Sequence, residues 1–171
     1  MKEIIPSAAN LAQAFNSDIT PALEMVKMHM NSYQLSAKEA QKVTDMIAVT
    51  SKNTAADLPR LAEGFKYVGA SGKALGVPME TVYAMLGKMN DNGLIGSTAG
   101  TGLNQMFESM KDFKKRDKLE QLIGKVTDEK GNLQDMTSIL ERLKGVTDKM
   151  GNADKAGVLK TIFGVQGGRA V

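Results

Sequence analysis

Apolar residues recur along this chain three and four positions apart. The first clear stripe is Leu23, Val26, Met30 and Tyr33, and the second is Ala40, Val43 and Ile47. Leu58, Leu61, Ala62, Phe65 and Val68 form a third, and Val82, Met85, Leu86 and Met89 a fourth. Leu103, Met106, Phe107 and Met110 follow, then Ile139, Leu140, Leu143 and Val146, then Val158, Leu159, Ile162 and Phe163. Spacing of this kind puts the apolar side chains of each segment on one face of a helix. The pattern predicts an all-α, irregular multi-helix domain of about eight short helices, with no convincing sheet. Leu61, Phe65, Val82, Leu86, Leu103 and Phe107 are expected to meet in one core cluster.

The breaks between stripes carry start and stop signals. Ser7 can cap a short helix running to about Phe15, and Asp18 or Thr20 the next, with Pro21 in its first turn. Ser36-Ala37-Lys38-Glu39 is a capping box, opening a helix that reaches about Lys52. Thr54 or Asp57 starts the following helix, with Pro59 in its first turn, and Gly69, Ser71 and Gly72 weaken its end. Gly76-Val77-Pro78 breaks the chain again. Gly93 fits the left-handed residue that ends a helix, with Leu94 folding back over Met89. Ser97 or Thr98 can cap the helix after it. Gly131-Asn132 is a turn signal and suggests a small hairpin near 126–133. Met136 or Thr137 starts another helix. Gly151-Asn152 ends it and caps the last, which Gly164 closes.

Composition narrows the picture. The chain has 171 residues, enough for one domain or two small ones. We read residues 1–171 as a single helical domain, with a division into 1–116 and 117–171 as the alternative. Aromatics are only 5% and Trp is absent, so the core must rest on Leu, Ile, Val, Ala and Met. Twelve methionines predict a soft, adaptable core, because Met fills gaps without specifying one packing. Without Cys there are no disulfides and no thiolate metal sites. A net charge of +3 is mildly basic and short of a nucleic-acid-binding signature. No apolar run approaches the roughly 20 residues that span a bilayer. Met1 to Pro6 lack an apolar signal core. Gly167 to Val171 stop where another segment could begin, so the chain reads as a piece excised from a longer protein.

Candidate chemistry is sparse. His29 is the only histidine and has no second ligand at a metal-binding spacing, so it is expected to be structural or superficial. Gly96-Ser97-Thr98-Ala99-Gly100-Thr101-Gly102 has the glycines of a phosphate loop without its Lys, and no strand precedes it. Close helix approach and a tight turn explain those glycines better. Asp128-Glu129-Lys130-Gly131-Asn132 is only superficially like a calcium loop, since the Gly comes too early and the twelfth position lacks Glu. The cationic run Lys111 to Lys118 reads as a solvated helix end rather than a nucleic-acid contact, because two acids interrupt it. The expectation is no catalytic, cofactor-binding or metal site, and no enzymatic role.

Several stretches nevertheless carry a resemblance when taken in order. They are Asn53-Thr54-Ala55-Ala56-Asp57, Phe65-Lys66-Tyr67-Val68-Gly69, Ala74 to Thr81, Asn92 to Ser97, and Ala99 to Leu103. Thr127 to Leu133, Ile162-Phe163-Gly164 and Ser32 to Glu39 extend the series. Together they resemble the core region of phage tail tape measure proteins. The resemblance implies a structural component of a bacteriophage or prophage tail, which helps set tail length, templates tube assembly and is released as DNA is ejected. It implies contact with tail-tube and other tail proteins and tail assembly chaperones, with self-association also open. It implies no specific nucleic acid, no membrane contact by this segment and no cofactor. The expected location is the lumen of the tail tube, and the host cytoplasm during assembly. The alternative is a free-standing helical adaptor or a weakly basic nucleic-acid-binding module.

Overall fold

The computed structural model describes residues 3–170. Met1, Lys2 and Val171, part of the chain start and end read above, lie outside the described residues. Among the described residues nine α-helices follow one another: α1 (Ile4–Ala14), α2 (Ile19–Tyr33), α3 (Ala40–Asn53), α4 (Leu58–Ala74), α5 (Met79–Asp91), α6 (Gly96–Lys111), α7 (Phe113–Ile123), α8 (Met136–Thr147) and α9 (Asn152–Gly167). A 3₁₀ turn, Ala37–Glu39, leads into α3. The chain is all-helical, as its periodicity predicts.

Local chemistry accounts for most boundaries. At Ser36 the capping box is complete: Glu39 accepts from the Ser36 N–H at 2.9 Å, and the Ser36 side chain faces the Glu39 backbone. Asp57 caps α4 by accepting from the Arg60 N–H at 2.9 Å, with Pro59 in the first turn. After α5, Gly93 takes φ +80°. Its N–H donates to the Asn90 carbonyl at 3.0 Å, and the Leu94 N–H donates to the Met89 carbonyl at 2.9 Å. These are the two bonds of a Schellman ending, at the predicted Gly. Asp135 caps α8 through the Ser138 N–H at 2.9 Å.

Other boundaries depart from expectation, each for a physical reason. Ser7 does not cap α1. The helix begins three residues earlier, and the buried Ser7 hydroxyl donates to the Glu3 carbonyl at 3.0 Å. Gly69, Ser71 and Gly72 lie buried in the last turns of α4, which runs on to Ala74 and stops ahead of the predicted break at Gly76. A Cβ on Gly72 would lie 2.8 Å from the Tyr33 hydroxyl, so that glycine serves packing. Neither Ser97 nor Thr98 caps α6, which starts at Gly96 behind Ile95. The cationic run is not one helix end. Asp112 interrupts it, accepts from the Lys114 and Lys115 N–H groups, and caps a separate helix, α7. The hairpin near 126–133 reduces to one antiparallel bridge, Thr127 with Leu133, closed by Gly131 at φ +84°. Helix α8 stops at Thr147, before Gly151, and α9 kinks at Gly164 rather than closing there.

Helices α1, α2 and α3 pack on one another and lean on α4 and α5. The most extensive pairing is α4 against α6, and α6 also carries α9 and α7. Helix α7 in turn packs against α8 and α9. One continuous core runs through the whole, and it contains Leu61, Phe65, Val82, Leu86, Leu103 and Phe107. Its largest fully buried side chains are Tyr83, Phe65, Phe107 and Phe163. Met25, Met30, Met79, Met85, Met89, Met106, Met110 and Met136 are buried too, so methionine makes up much of the remaining bulk.

Candidate functional site

The α4–α6 crossing is the tightest contact in the fold. A Cβ placed on Gly100 would lie 2.1 Å from the Gly64 carbonyl oxygen, and one on Gly64 would lie 3.2 Å from the Gly96 carbonyl oxygen. Backbone meets backbone there, which only residues without a side chain permit. Gly100 therefore serves close helix approach and Gly96, at φ +52°, the turn into α6, the two roles the sequence suggested for these glycines.

Beside this crossing sits a buried polar cluster. His29 is fully buried on α2, stacked on Phe65 of α4 with ring centroids 3.9 Å apart. Its Nδ1–H donates to the Met25 carbonyl, and its Nε2 accepts from the Tyr83 hydroxyl. Both ring nitrogens are satisfied in the neutral form. Burial lowers the His29 pKa from 6.5 to about 4, against a smaller opposing effect of the Met25 bond. Burial pushes the Tyr83 phenol well above its ordinary value. Neither group is poised to exchange a proton near neutrality, and the pair pins α2, α4 and α5 together. The structural reading of His29 holds, and the surface one does not. A sequence signal for its depth existed: His29 lies three residues after Val26 and four before Tyr33, on the same helical face.

The other sequence candidates are dispersed. Asp128 engages its carboxylate in its own turn, accepting from the Lys130 and Asn132 N–H groups and from the Asn132 side chain. Those bonds hold its pKa below the usual carboxylate range. Among the described residues no three His, Cys, Asp or Glu side chains gather where they could hold a metal ion. In the cationic run, Lys111 pairs with Glu108, Lys115 reaches back to Ser109, and Arg116 lies over the exposed Phe113 ring at 4.7 Å. Much of that charge is thus turned onto the protein itself. No helix among the described residues is long and apolar enough to cross a membrane.

One further feature has no counterpart in the sequence reading. An apolar cleft of about 570 Å³ lies between α5 and α8. Ala84, Met85, Met89, Leu94 and Leu140 line it, with Lys88, Glu141 and Lys144 around them. Arg169 and Ala170, just past the kink in α9, also line it. The stripes of α5 and α8 mark both helices as having an apolar face. They do not say that these two faces stand apart.

Tight backbone crossings, an internally satisfied histidine and an apolar cleft define a helical structural module. The chain belongs to the family of phage-related minor tail proteins, whose family model matches residues 1–164. It is 29% identical over 169 residues to a probable tape measure protein of Escherichia phage P2, covering 96% of this chain and 21% of that protein. It is 27% identical over 164 residues to a tape measure protein of Pneumococcus phage Dp-1, covering 95% of this chain and 14% of that protein. The chain thus spans about a fifth or less of the length of these curated relatives. No solved structure matches it significantly. The expected resemblance is met, and the family sets the chain among phage tail proteins.

Proposed function

We propose that this chain is the compact core segment of a tape measure protein. In that role it acts as structure, not as an enzyme, in a tail whose length the whole protein helps to set. The observation that carries the reading is the match to tape measure proteins of two phages over nearly all of this chain. The partners are tail-tube proteins and assembly chaperones, with self-association as a further contact. The place of action is the tube lumen, after assembly in the host cytoplasm, and release accompanies DNA ejection.

The fold sharpens this role. Drawn into one straight helix, the chain would span roughly 260 Å. Folded to ordinary domain density, it has a radius of gyration of about 16 Å. Pro59, Pro78 and the positive-φ residues Gly93, Gly96 and Gly131 interrupt any continuous helix. The folded segment therefore sits at one end of the tape, or it opens before the tube closes round it. A core rich in buried methionine favours opening, since it specifies its packing weakly.

In-frame removal of these codons from the parent gene, followed by electron microscopy of the tails, tests the reading. Tails shortened by roughly 260 Å are expected if the segment is drawn out. Failure of tail assembly is expected if it works folded at one end. Infectious particles with tails of unchanged length would overturn the proposal.

A further inference from the structure

The end of α9 is held to α6 by a side chain rather than by apolar packing. Gly164 breaks the helix with φ 74° and ψ −179°, and a separate turn follows. That turn has its own unfilled N–H groups, as every helix start does. Gln105 on α6 fills two of them: its Oε1 accepts from the Gln166 and Gly167 N–H groups, each at 3.0 Å. Gly167 is buried, and a Cβ there would lie 3.0 Å from the Met106 backbone nitrogen. A Cβ on Gly102 would meet the Gln166 carbonyl oxygen at 3.1 Å. Backbone and glycine do the seating. Val165, Gln166 and Arg169 are exposed, so no large apolar side chain anchors the turn.

We propose that residues 165–170 form a hinged strap, with Gly164 as hinge and Gln105 as latch, whose release opens one wall of the cleft between α5 and α8. Arg169 and Ala170 form part of that wall only while the strap is seated. Release also uncovers the α6 backbone at Gly102, where the strap and Met89 converge. The hinge requires glycine twice over. Its φ lies in the left-handed region, and an added Cβ would come 2.8 Å from the Gln105 amide nitrogen. The strap moves without the rest of α9, because Leu159, Ile162 and Phe163 are buried in the core ahead of the hinge.

Amide hydrogen exchange on the 171-residue chain tests this directly. In the unaltered protein, the Gln166 and Gly167 amides should open far more often than those of Phe65 and Leu103, with little response to denaturant. Gln105→Ala should speed exchange at both amides by about tenfold or more, since each loses one neutral hydrogen bond, while the core amides stay unchanged. Exchange of the two amides only together with the core would overturn the strap, as would indifference to Gln105→Ala. A second measurement covers a variant that folds poorly. The chain has no cysteine, so spin labels at Lys88→Cys and Arg169→Cys report on the cleft alone. A second, longer separation that grows in a Gly164→Ala background supports the hinge. One unchanged separation in both proteins refutes it.

Discussion

Acid should weaken this fold before its carboxylates begin to titrate, and His29 is the reason. Its pKa is about 4 in the folded chain against 6.5 for a free imidazole. The unfolded chain therefore binds a proton where the folded one does not. Stability from this site is full above about pH 6.5 and drains away as pH falls toward 4. At roughly 1.4 kcal/mol for each pH unit between those two values, the whole loss approaches about 3 kcal/mol, and about 2 kcal/mol of it falls between pH 7 and pH 5. That is a large share of an ordinary domain's stability. Urea unfolding at the two pH values measures the loss, and His29→Gln supplies the control. Gln keeps an oxygen for the Tyr83 hydroxyl and does not titrate, so the variant's stability should be nearly flat across this interval. Because the chain has a single histidine, its ring resonance also reports the folded-state pKa without assignment. A midpoint near 6.5 with the protein still folded, or equal acid loss in the Gln variant, would refute the reasoning.

Two further substitutions probe the packing. Gly100→Ala should cost about 2 kcal/mol or more, because its Cβ would meet rigid backbone 2.1 Å away, whereas Gly145→Ala, in a helix with open space around it, should stabilise by about 0.5–1 kcal/mol. Thermal unfolding reads both, and a neutral Gly100→Ala would show that α4 and α6 are not in backbone contact. Phe107→Ala should cost about 3–5 kcal/mol, since the ring is fully buried. A loss below about 1 kcal/mol in denaturant unfolding would mean that α6 does not face the core as described.

Much of this architecture was legible in the sequence because local signals and tertiary packing agree. Ser36 with Glu39, Asp57 with Pro59, and Gly93 with Leu94 each close a helix end with bonds that span only a few residues, so spacing alone reveals them. The failures occur where distant contacts decide. Gly69 and Gly72 look like weak points near a helix end because glycine lowers helix propensity, yet Phe65, Tyr33, Val82 and Phe107 crowd the space that side chains would fill. Gly100 and Gly102 were legible as close-approach positions, but not their partners: Gly100 meets the α4 backbone at Gly64, and Gly102 the Gln166 carbonyl of α9. Helix α7 was hidden by its charges: Leu119 is its only fully buried side chain, too little for a stripe. The cleft and the strap leave no local mark, since one depends on how far α5 stands from α8 and the other on Gln105 meeting amides 61 and 62 residues later.

Helix α6 has a place no other element shares. It pairs with α4 and α5 on one side and with α7 and α9 on the other. Helices α7 and α9 thus dock on a surface that exists only after α6 has been laid down. Translation delivers α1 to α5 first, and local pairings close faster than distant ones. The arrangement predicts assembly from the amino end forward, with α6 as the keystone. Pulling from the carboxyl end reverses that order: the terminal turn peels first, then α9, and the helices that pack around His29 yield last. A chain that enters a narrow space by that end would be unmade one layer at a time instead of all at once.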